Sequence, residues 1–247
     1  MRDDKIMGDD LPAAELRAMW RFDDPERSEL VLRAAADGAS TSPGRQTELL
    51  TQVARAMGLQ ERFDEAHHLL DTLDAATPAA AVRLLLERGR LHRSAGDLPA
   101  AVSCFEAAAV AAEQDGLETL QVDALHMLAL ADQDRAAGWT AHARAVVVRS
   151  EDPETRRWAI ALENNRGWDL MDVGRAGDAL VHFEASHAAA VEAGAAEQEQ
   201  IARWAVARCL RELGRTDEAL AMQRELAQER PEDPYVHEEL EALESGR

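Results

Sequence analysis

The sequence predicts an all-α fold built from repeated helical hairpins. Residues that favour helices dominate the 247-residue chain, whereas aromatic residues, which favour strands, make up only 4% of it. A short motif with an alanine at a fixed place recurs along the chain, and a glycine precedes most copies. A recurrence of this length indicates stacked helix–turn–helix units, because each repeat of 20–50 residues forms one supersecondary unit.

The repeated motif is clearest in four segments, which align on one alanine. They read RFDEAHHLL from Arg62, DLPAAVSCF from Asp97, RAGDALVHF from Arg175 and RTDEALAMQ from Arg215. The aligned alanines are Ala66, Ala101, Ala179 and Ala219, and a weaker copy, GWTAHARAV, places Ala141 near the same phase. Successive spacings are 35, 40, 38 and 40 residues. Five residues before the alanines, Gly96, Gly174 and Gly214 are predicted breakers between paired helices, and the first copy has Glu61 there.

Other positions repeat in phase with these alanines. Small residues twelve positions earlier are Ala54, Gly89, Gly167 and Ala207, bulky residues nearby are Phe63, Leu98, Phe105 and Phe183, and prolines end the first and last copies at Pro78 and Pro231. The pattern resembles the tetratricopeptide repeat (TPR) family, whose nominal period is about 34 residues. The resemblance covers roughly residues 46–231 and implies a right-handed α-solenoid with a concave face. The third copy is degenerate, Ala176 and Thr216 replace a bulky residue, and most spacings are longer than in the family.

The chain organisation follows from this register. We expect disorder over residues 1–9, an N-terminal helical cap over 10–45, about five repeats over 46–231 and a C-terminal capping helix over 232–247. The N-terminal cap is predicted to contain helices over Leu11–Phe22 and Asp24–Gly38, followed by a loop over residues 39–46, with a degenerate sixth unit as the alternative. Asp233 and Pro234 are predicted to begin the last helix.

Charge and composition exclude several classes of function. The net charge of −20 argues against a nucleic-acid or anionic-membrane surface, since both need clustered basic residues. Lys5 is the only lysine, which removes Schiff-base chemistry and a Walker A loop from the predicted folded region. No apolar run approaches the roughly 20 residues of a membrane span, and the N-terminus lacks the apolar region of a signal peptide. With Cys104 and Cys209 predicted as buried thiols in a reducing compartment, we expect a cytoplasmic protein.

Signals for catalysis or metal binding are weak. His67 and His68 are adjacent, so their side chains point about 100° apart on a helix, and His182 and His187 are five residues apart. The sequence contains no HExxH motif, no glycine-rich phosphate loop after a strand and no triad signature. We therefore expect no metal, no cofactor and no catalytic residues.

The TPR resemblance implies a groove lined by positions 5, 9, 12 and 13 of each first helix. Positions 5, 9 and 12 hold five arginines and no acid, although acids outnumber bases 47 to 27 in the chain. The predicted groove residues are Arg55, Arg90, Arg93, His126, Asn164, Trp168, Trp204, Arg208 and Arg211. Position 13 adds Asp134, Asp172 and Glu212, which could pair with these arginines. The alternative interpretation is that arginine is the default long helix former in a chain with one lysine.

The expected function is a non-catalytic protein–protein interaction module that binds an acidic or C-terminal peptide segment of a partner. Guanidinium groups bind carboxylates in a bidentate manner, and the resemblance implies that Arg55, Arg90 and Arg93 meet one. Asn164 would bond the peptide backbone, while Trp168, Trp204, Arg208 and Arg211 would form a second pocket. The alternatives are a peptide-responsive regulatory sensor, a self-associating scaffold that forms a homo-oligomer, and an enzyme using acid–base residues in the groove.

Overall fold

The predicted all-α class is confirmed in the computed structural model. The structure describes residues 11–38 and 41–245, and all regular elements in these ranges are helices. The expectation of disorder over residues 1–9 lies outside the described residues. The chain divides into two compact units, Met1–Ser150 and Glu151–Arg247.

The first unit contains eight helices in its described part. They are α1 (Ala13–Met19), α2 (Pro25–Ala36), α3 (Pro43–Leu59), α4 (Phe63–Asp71), α5 (Pro78–Ser94), α6 (Leu98–Gln114), α7 (Glu118–Ala131) and α8 (Ala136–Arg149). The helices pair as antiparallel hairpins, α3 with α4, α5 with α6 and α7 with α8. Helices α3, α5 and α7, the first helices of the three hairpins, also pack against one another in that order. Their neighbouring faces therefore form one continuous surface.

The second unit repeats this arrangement. Its described helices are α9 (Pro153–Arg156), α10 (Ala159–Asp172), α11 (Ala176–Glu192), α12 (Ala196–Glu212), α13 (Thr216–Glu229) and α14 (Pro234–Ser245). Hairpins α10–α11 and α12–α13 are followed by α14, and the first helices α10, α12 and α14 again contact one another. Helix α14 begins where Asp233 Oδ1 accepts the N–H of Tyr235 at 3.0 Å, with Pro234 in the first turn.

Repeated alanines let the paired helices approach closely. Ala66, Ala101, Ala179 and Ala219 have no exposed surface. The weaker copy is different: Ala141 is exposed, and Ala143 occupies the buried place. The expectation for Ala141 was therefore wrong by two residues. The reason lies in the preceding turn, where a 3₁₀ helix, Gln133–Arg135, leads directly into α8 without a left-handed glycine.

The N-terminal predictions also need correction. Helix α1 is shorter than the predicted segment, because Trp20 already has extended backbone angles. The predicted loop over residues 39–46 is shorter as well, since Ser42 caps α3 by accepting the N–H of Arg45 and Pro43 opens the helix. Asp24 caps α2 in the same way, through the N–H of Arg27.

Six hairpin and inter-hairpin turns share one geometry. The residues with positive φ are Glu61, Gly96, Gly116, Gly174, Gly194 and Gly214. In the first turn, the N–H of Arg62 bonds to the Met57 carbonyl at 3.0 Å, and the N–H of Asp97 bonds to His92 in the second turn at 2.9 Å. This is the Schellman termination, which needs a left-handed residue just past the helix. The predicted breakers Gly96, Gly174 and Gly214 are confirmed.

Glu61 is the one described non-glycine residue with positive φ, at +61°. A left-handed conformation costs an L-residue roughly 1–2 kcal/mol, which exceeds the roughly 0.5–1 kcal/mol entropic cost of glycine. We therefore expect Glu61→Gly to raise the free energy of unfolding by about 0.5–1 kcal/mol, measured by urea denaturation. Gly96→Ala, the reverse change in the next hairpin, should lower it. A loss of stability in Glu61→Gly would show that the Glu61 side chain contributes more than the backbone strain.

Two hairpins contain a phenylalanine packed directly on a glycine. A Cβ on Gly89 would lie 2.4 Å from Cε1 of Phe105, and a Cβ on Gly167 would lie 2.4 Å from Cε1 of Phe183. Each pair is sixteen residues apart, and both rings are fully buried. In the last hairpin, the residues at the same two positions are Ala207 and Gln223. The buried amide of Gln223 has no hydrogen-bond partner among the described residues.

Candidate functional site

The first unit places predicted groove residues on the shared face of α3, α5 and α7. At its centre, Arg90 on α5 lies between two carboxylates. Its guanidinium donates to Glu87 Oε1 at 2.5 Å and to both oxygens of Asp123, on α7, at 2.6 and 2.7 Å. Gln52 on α3 also donates to Glu87 Oε1, at 3.0 Å. One hydrogen-bonded network therefore joins the first helices of three hairpins.

The electrostatics of this network explain why its charges are stable inside the protein. Burial would lower the pKa of Arg90, but the attraction of Asp123 and Glu87 outweighs it and raises that pKa above its ordinary value. Burial would raise the pKa of Asp123, but the charges of Arg90 and Arg55 lower it instead. Arg90 therefore stays protonated, and two carboxylates of the chain itself balance its positive charge. We assign it a structural role.

Arg55, one helix away on α3, has a different environment. Its guanidinium carbon lies 5.2 Å from the centroid of the Trp20 ring and 5.4 Å from that of Phe22, and the two rings stack on each other. Burial, reinforced by the charge of Arg90, lowers the pKa of Arg55 to about 10. No carboxylate among residues 11–38 and 41–245 forms an ion pair with it. Arg55 is therefore a partly buried cation that contacts two aromatic rings and is attracted by Glu87 and Asp123 without a direct ion pair to either.

Unused hydrogen-bonding atoms accompany Arg55 on this face. Gln52 Oε1, Glu87 Oε2 and Trp20 Nε1 are buried, and none has a hydrogen-bond partner in the described part of the chain. An unpaired buried polar atom costs about 1–3 kcal/mol. Native proteins keep few such atoms, and each needs an explanation, such as a missing ligand or water.

Arg93 and His126 complete the predicted residues of the first unit. The side chain of Arg93 is exposed, whereas His126 is partly buried. Burial lowers the pKa of His126. Asp123 raises that pKa, but the positive charges of Arg90 and Arg93 offset part of the rise. His126 is therefore predominantly neutral at pH 7, so the cationic groups on this face are the arginines.

In the second unit, the predicted aromatic residues form a row across α10, α12 and α14. Trp168 packs edge-on against Phe183 with ring centroids 5.0 Å apart and lies 6.0 Å from Trp204. Trp204 lies 6.3 Å from Tyr235, and its Nε1 donates to the Tyr235 carbonyl at 3.1 Å. Asn164, one turn before Trp168, has a buried Oδ1 with no hydrogen-bond partner among the described residues.

Arg208 and Arg211 are paired within the chain. Arg211 donates to Glu239 of α14 at 2.8 Å, and Arg208 forms an ion pair with the same carboxylate at 3.2 Å. Both also approach Glu212, one of the acids that the sequence suggested as a pairing partner. Because Glu239 is buried, its pairs resist exchange for a ligand carboxylate more than exposed pairs do.

The predicted groove residues thus divide into two groups, one in each unit. Arg55, Arg90 and His126 lie close enough to influence one another's charge, and Arg93 lies beside His126. Asn164, Trp168, Trp204, Arg208 and Arg211 lie on the neighbouring first helices of the second unit. Arg90, Arg208 and Arg211 carry their own carboxylate partners, so Arg55 and Arg93 are the predicted arginines best placed to receive a ligand.

Several residues around these two groups were not predicted from the sequence. They are Trp20, Phe22, Gln52, Glu87, Asp123, Tyr235 and Glu239. Glu87 stands three residues before Arg90, a helical spacing that could have revealed the pair. Asp123 is 33 residues away from Arg90 and had no such signal.

Three further observations bear on the type of site. Among the described residues, no group of three or more His, Cys, Asp or Glu side chains is arranged to hold a metal ion. Cys104 and Cys209 are free thiols, and burial raises the pKa of each. None of the described helices is long and apolar enough to cross a membrane.

Comparison with known proteins identifies the architecture. No protein-family model matches the chain, and no curated protein matches it by sequence. Among solved structures, BtubC (BKLC) from P. vanneervenii is 17% identical, with a TM-score of 0.62 over 86% of this chain and 90% of that one. The apo form of RapI is 12% identical, with a TM-score of 0.68 over 94% of this chain and 70% of that one.

The chain is an all-α helical-repeat solenoid. At identities this low, the likeness to BtubC and RapI shows the fold alone. The predicted solenoid class is confirmed, and the function must be argued from the surface itself.

Proposed function

We propose that this chain is a non-catalytic protein-interaction module of the TPR type that binds a carboxylate-bearing peptide segment of a partner. The binding surface in the first unit is the face of α3, α5 and α7 around Arg55. The row of Asn164, Trp168 and Trp204 provides a second contact surface in the second unit. Helical-repeat proteins commonly bind partners along such faces, because stacking leaves the first helices side by side.

The single observation that supports this proposal is the state of Arg55. Arg55 is partly buried, has no direct ion pair and is attracted by Glu87 and Asp123 only at a distance, so a ligand carboxylate in contact with its guanidinium would offset the cost of its burial. The lowered pKa of Arg55 reflects the cost of its burial, because burial disfavours the charged form of the guanidinium relative to the neutral form. Arg93, exposed on the next helix, offers a second cation to the same ligand.

The unused acceptors suggest what else the ligand contains. Glu87 Oε2 and Gln52 Oε1 are acceptors just beneath the surface, and an N–H group of a ligand or a water reaches them once the side chains that cover them move. A peptide segment supplies both a carboxylate and several backbone N–H donors, whereas an inorganic anion supplies a donor only where it carries an O–H group. The chemistry of this face therefore favours a peptide over a free anion.

The cellular setting that we propose is the cytoplasm. The two cysteines are free thiols within helices, which is typical of proteins from a reducing compartment. The acidic character of the whole chain, with a net charge of −20, disfavours nucleic acid as the partner.

The test is selection of binders from a displayed library of random peptides that end in a free carboxylate. We expect the wild-type chain to select peptides, and Arg55→Met to weaken their binding at least about 30-fold, because loss of one partner of a desolvated charge pair costs 2 kcal/mol or more. Arg27→Met is the matched control, since Arg27 is exposed on α2 of the same unit. Fluorescence anisotropy would give the affinities, with circular dichroism to verify folding. Equal affinity for Arg55→Met and the wild type would contradict the proposal.

A further inference from the structure

A pocket lies in the second unit between α12, the end of α13 and the start of α14. Its volume is about 270 Å³. The lining residues are Gln200, Ile201, Trp204, Leu226, Arg230, Asp233, Tyr235 and Val236. None of them was predicted as part of a site except Trp204.

The inside of this pocket is apolar and its mouth is open. Leu226 and Val236 are buried at its base, with 2% and 3% of their surfaces exposed. Ile201 and Tyr235, at the mouth, remain 49% and 65% exposed. Large apolar side chains exposed around one concavity are a common mark of a binding site.

The polar residues of the pocket carry no net charge. Arg230 offers donors, Asp233 keeps one carboxylate oxygen beside the one that accepts the N–H of Tyr235, and Gln200 keeps its amide oxygen while its amide nitrogen donates to Glu229. Arg230 forms no ion pair within the described ranges 11–38 and 41–245. A rim that carries both donors and acceptors matches the N–H and C=O groups of a peptide backbone better than it matches an anion or a cation.

The volume limits what can enter. Pockets for drug-sized ligands occupy about 300–1,000 Å³. A volume of about 270 Å³ falls below that range, so the pocket suits one bulky side chain rather than a nucleotide or an organic cofactor.

Trp204 connects the pocket to the proposed peptide surface. One part of its indole faces Trp168, and its Nε1 is fixed by the hydrogen bond to the Tyr235 carbonyl. A peptide lying along the aromatic row therefore reaches the mouth of the pocket without leaving contact with Trp204. The pocket and the row are parts of one surface within the second unit.

We infer that this pocket receives one bulky apolar side chain of the bound peptide, while the peptide backbone crosses the rim formed by Gln200, Arg230 and Asp233. This inference rests on the proposed peptide-binding function and adds a sequence requirement to it. The segment that binds to the second unit must carry a large aliphatic or aromatic residue.

The first test is a double-mutant cycle on a peptide selected by the wild-type chain. Ile201→Glu places a charge at the mouth of the pocket, and Val191→Glu is the matched control, because Val191 is 53% exposed on α11 outside it. We expect Ile201→Glu, or alanine at the apolar residue of the peptide, to weaken binding about tenfold each. The two changes together should weaken it no further. Additive losses, or selected peptides without a shared bulky apolar residue, would overturn the inference.

The second test needs no selected peptide. The indole N–H resonance of Trp204, assigned through Trp204→Phe, is followed by NMR during titration with N-acetyl-leucinamide. N-acetyl-glycinamide serves as the control. We expect N-acetyl-leucinamide to shift the resonance in the wild type and in Val191→Glu but not in Ile201→Glu. N-acetyl-glycinamide should cause no shift in any of the three.

These measurements separate the two proposals. If no peptide is selected but leucinamide shifts the Trp204 resonance, the pocket binds apolar side chains and the proposed function fails. If peptides are selected but leucinamide causes no shift and no apolar residue is shared, the function stands and the pocket inference fails. Absence of both responses overturns both.

Discussion

Replacing Asp123 by alanine is expected to lower the free energy of unfolding by about 3 kcal/mol. The change removes both bonds from Asp123 to the buried guanidinium of Arg90 and leaves Glu87 as its remaining partner. Breaking a buried ion pair from one side typically costs 3–5 kcal/mol, because the other charge stays desolvated. The remaining pair with Glu87 places the expected value at the low end. Urea denaturation followed by circular dichroism would measure it.

The matched control is Glu218→Ala, which breaks an exposed pair with Arg215 of similar length, 2.6 Å. Exposed pairs contribute about 0–1 kcal/mol, so this variant should be nearly neutral. The double variant Arg90→Met with Asp123→Leu should recover much of the loss, since no unpaired charge remains. Equal losses for Asp123→Ala and Glu218→Ala would show that the network joining α3, α5 and α7 does not stabilise the first unit.

The pH dependence of this effect has a defined sign. The pKa of Asp123 in the folded protein lies below its ordinary value, so the carboxyl contributes stability above the pKa of the unfolded chain. That contribution is lost as the pH falls through the lower, folded value. The gap in stability between the wild type and Asp123→Ala should therefore persist at pH 5 and close only in stronger acid.

Gly167→Ala is expected to destabilise the second unit by about 1 kcal/mol, the difference between the cost of overpacking and the gain in helix propensity. The new Cβ would lie 2.4 to 2.8 Å from three ring carbons of Phe183, closer than any real contact allows. Overpacking of this kind costs about 1–3 kcal/mol, and it outweighs the gain of about 1 kcal/mol that alanine brings to a helix. Thermal and urea unfolding of the full chain would measure the change.

Gly177→Ala is the control, because Gly177 lies in α11 of the same unit and no atom would approach its new Cβ within 4 Å. It should be neutral or stabilising, by up to about 1 kcal/mol. Combining Gly167→Ala with Phe183→Leu should restore part of the loss by making room for the methyl group. Stabilisation by Gly167→Ala alone would contradict the close packing between α10 and α11.

The fold was predictable because its signals are local. A hairpin can be recognised in the sequence from an alanine that close helix packing requires and a glycine that the turn requires, as at Ala101 and Gly96. The prediction failed at Ala141, where a 3₁₀ turn replaces the glycine and shifts the second helix by two residues. It placed Glu61 at the glycine position of the first copy, and the structure shows that this residue has a left-handed backbone, which is imposed by the helices on either side rather than by its own preference.

The surface was only partly predictable, for a physical reason. Helical spacing shows which side chains share a face, and it grouped Asn164 with Trp168 on one helix. It does not show which side chain of another hairpin lies opposite. The aromatic rings around Arg55 and the carboxylate opposite Arg90 come from segments more than 30 residues away in the chain. Whether an arginine is free or already paired is therefore decided by tertiary packing.

The close fit between Gly89 and Phe105, and between Gly167 and Phe183, has a consequence for how this chain can evolve. The two positions of each pair cannot change independently, because the ring fits only above a residue without a Cβ. A change at either position alone therefore costs stability: a side chain in place of the glycine meets the ring, and a small residue in place of the phenylalanine leaves a cavity. We therefore expect the two positions of each pair to change together in related chains, and the last hairpin has Ala207 and Gln223 at the corresponding positions.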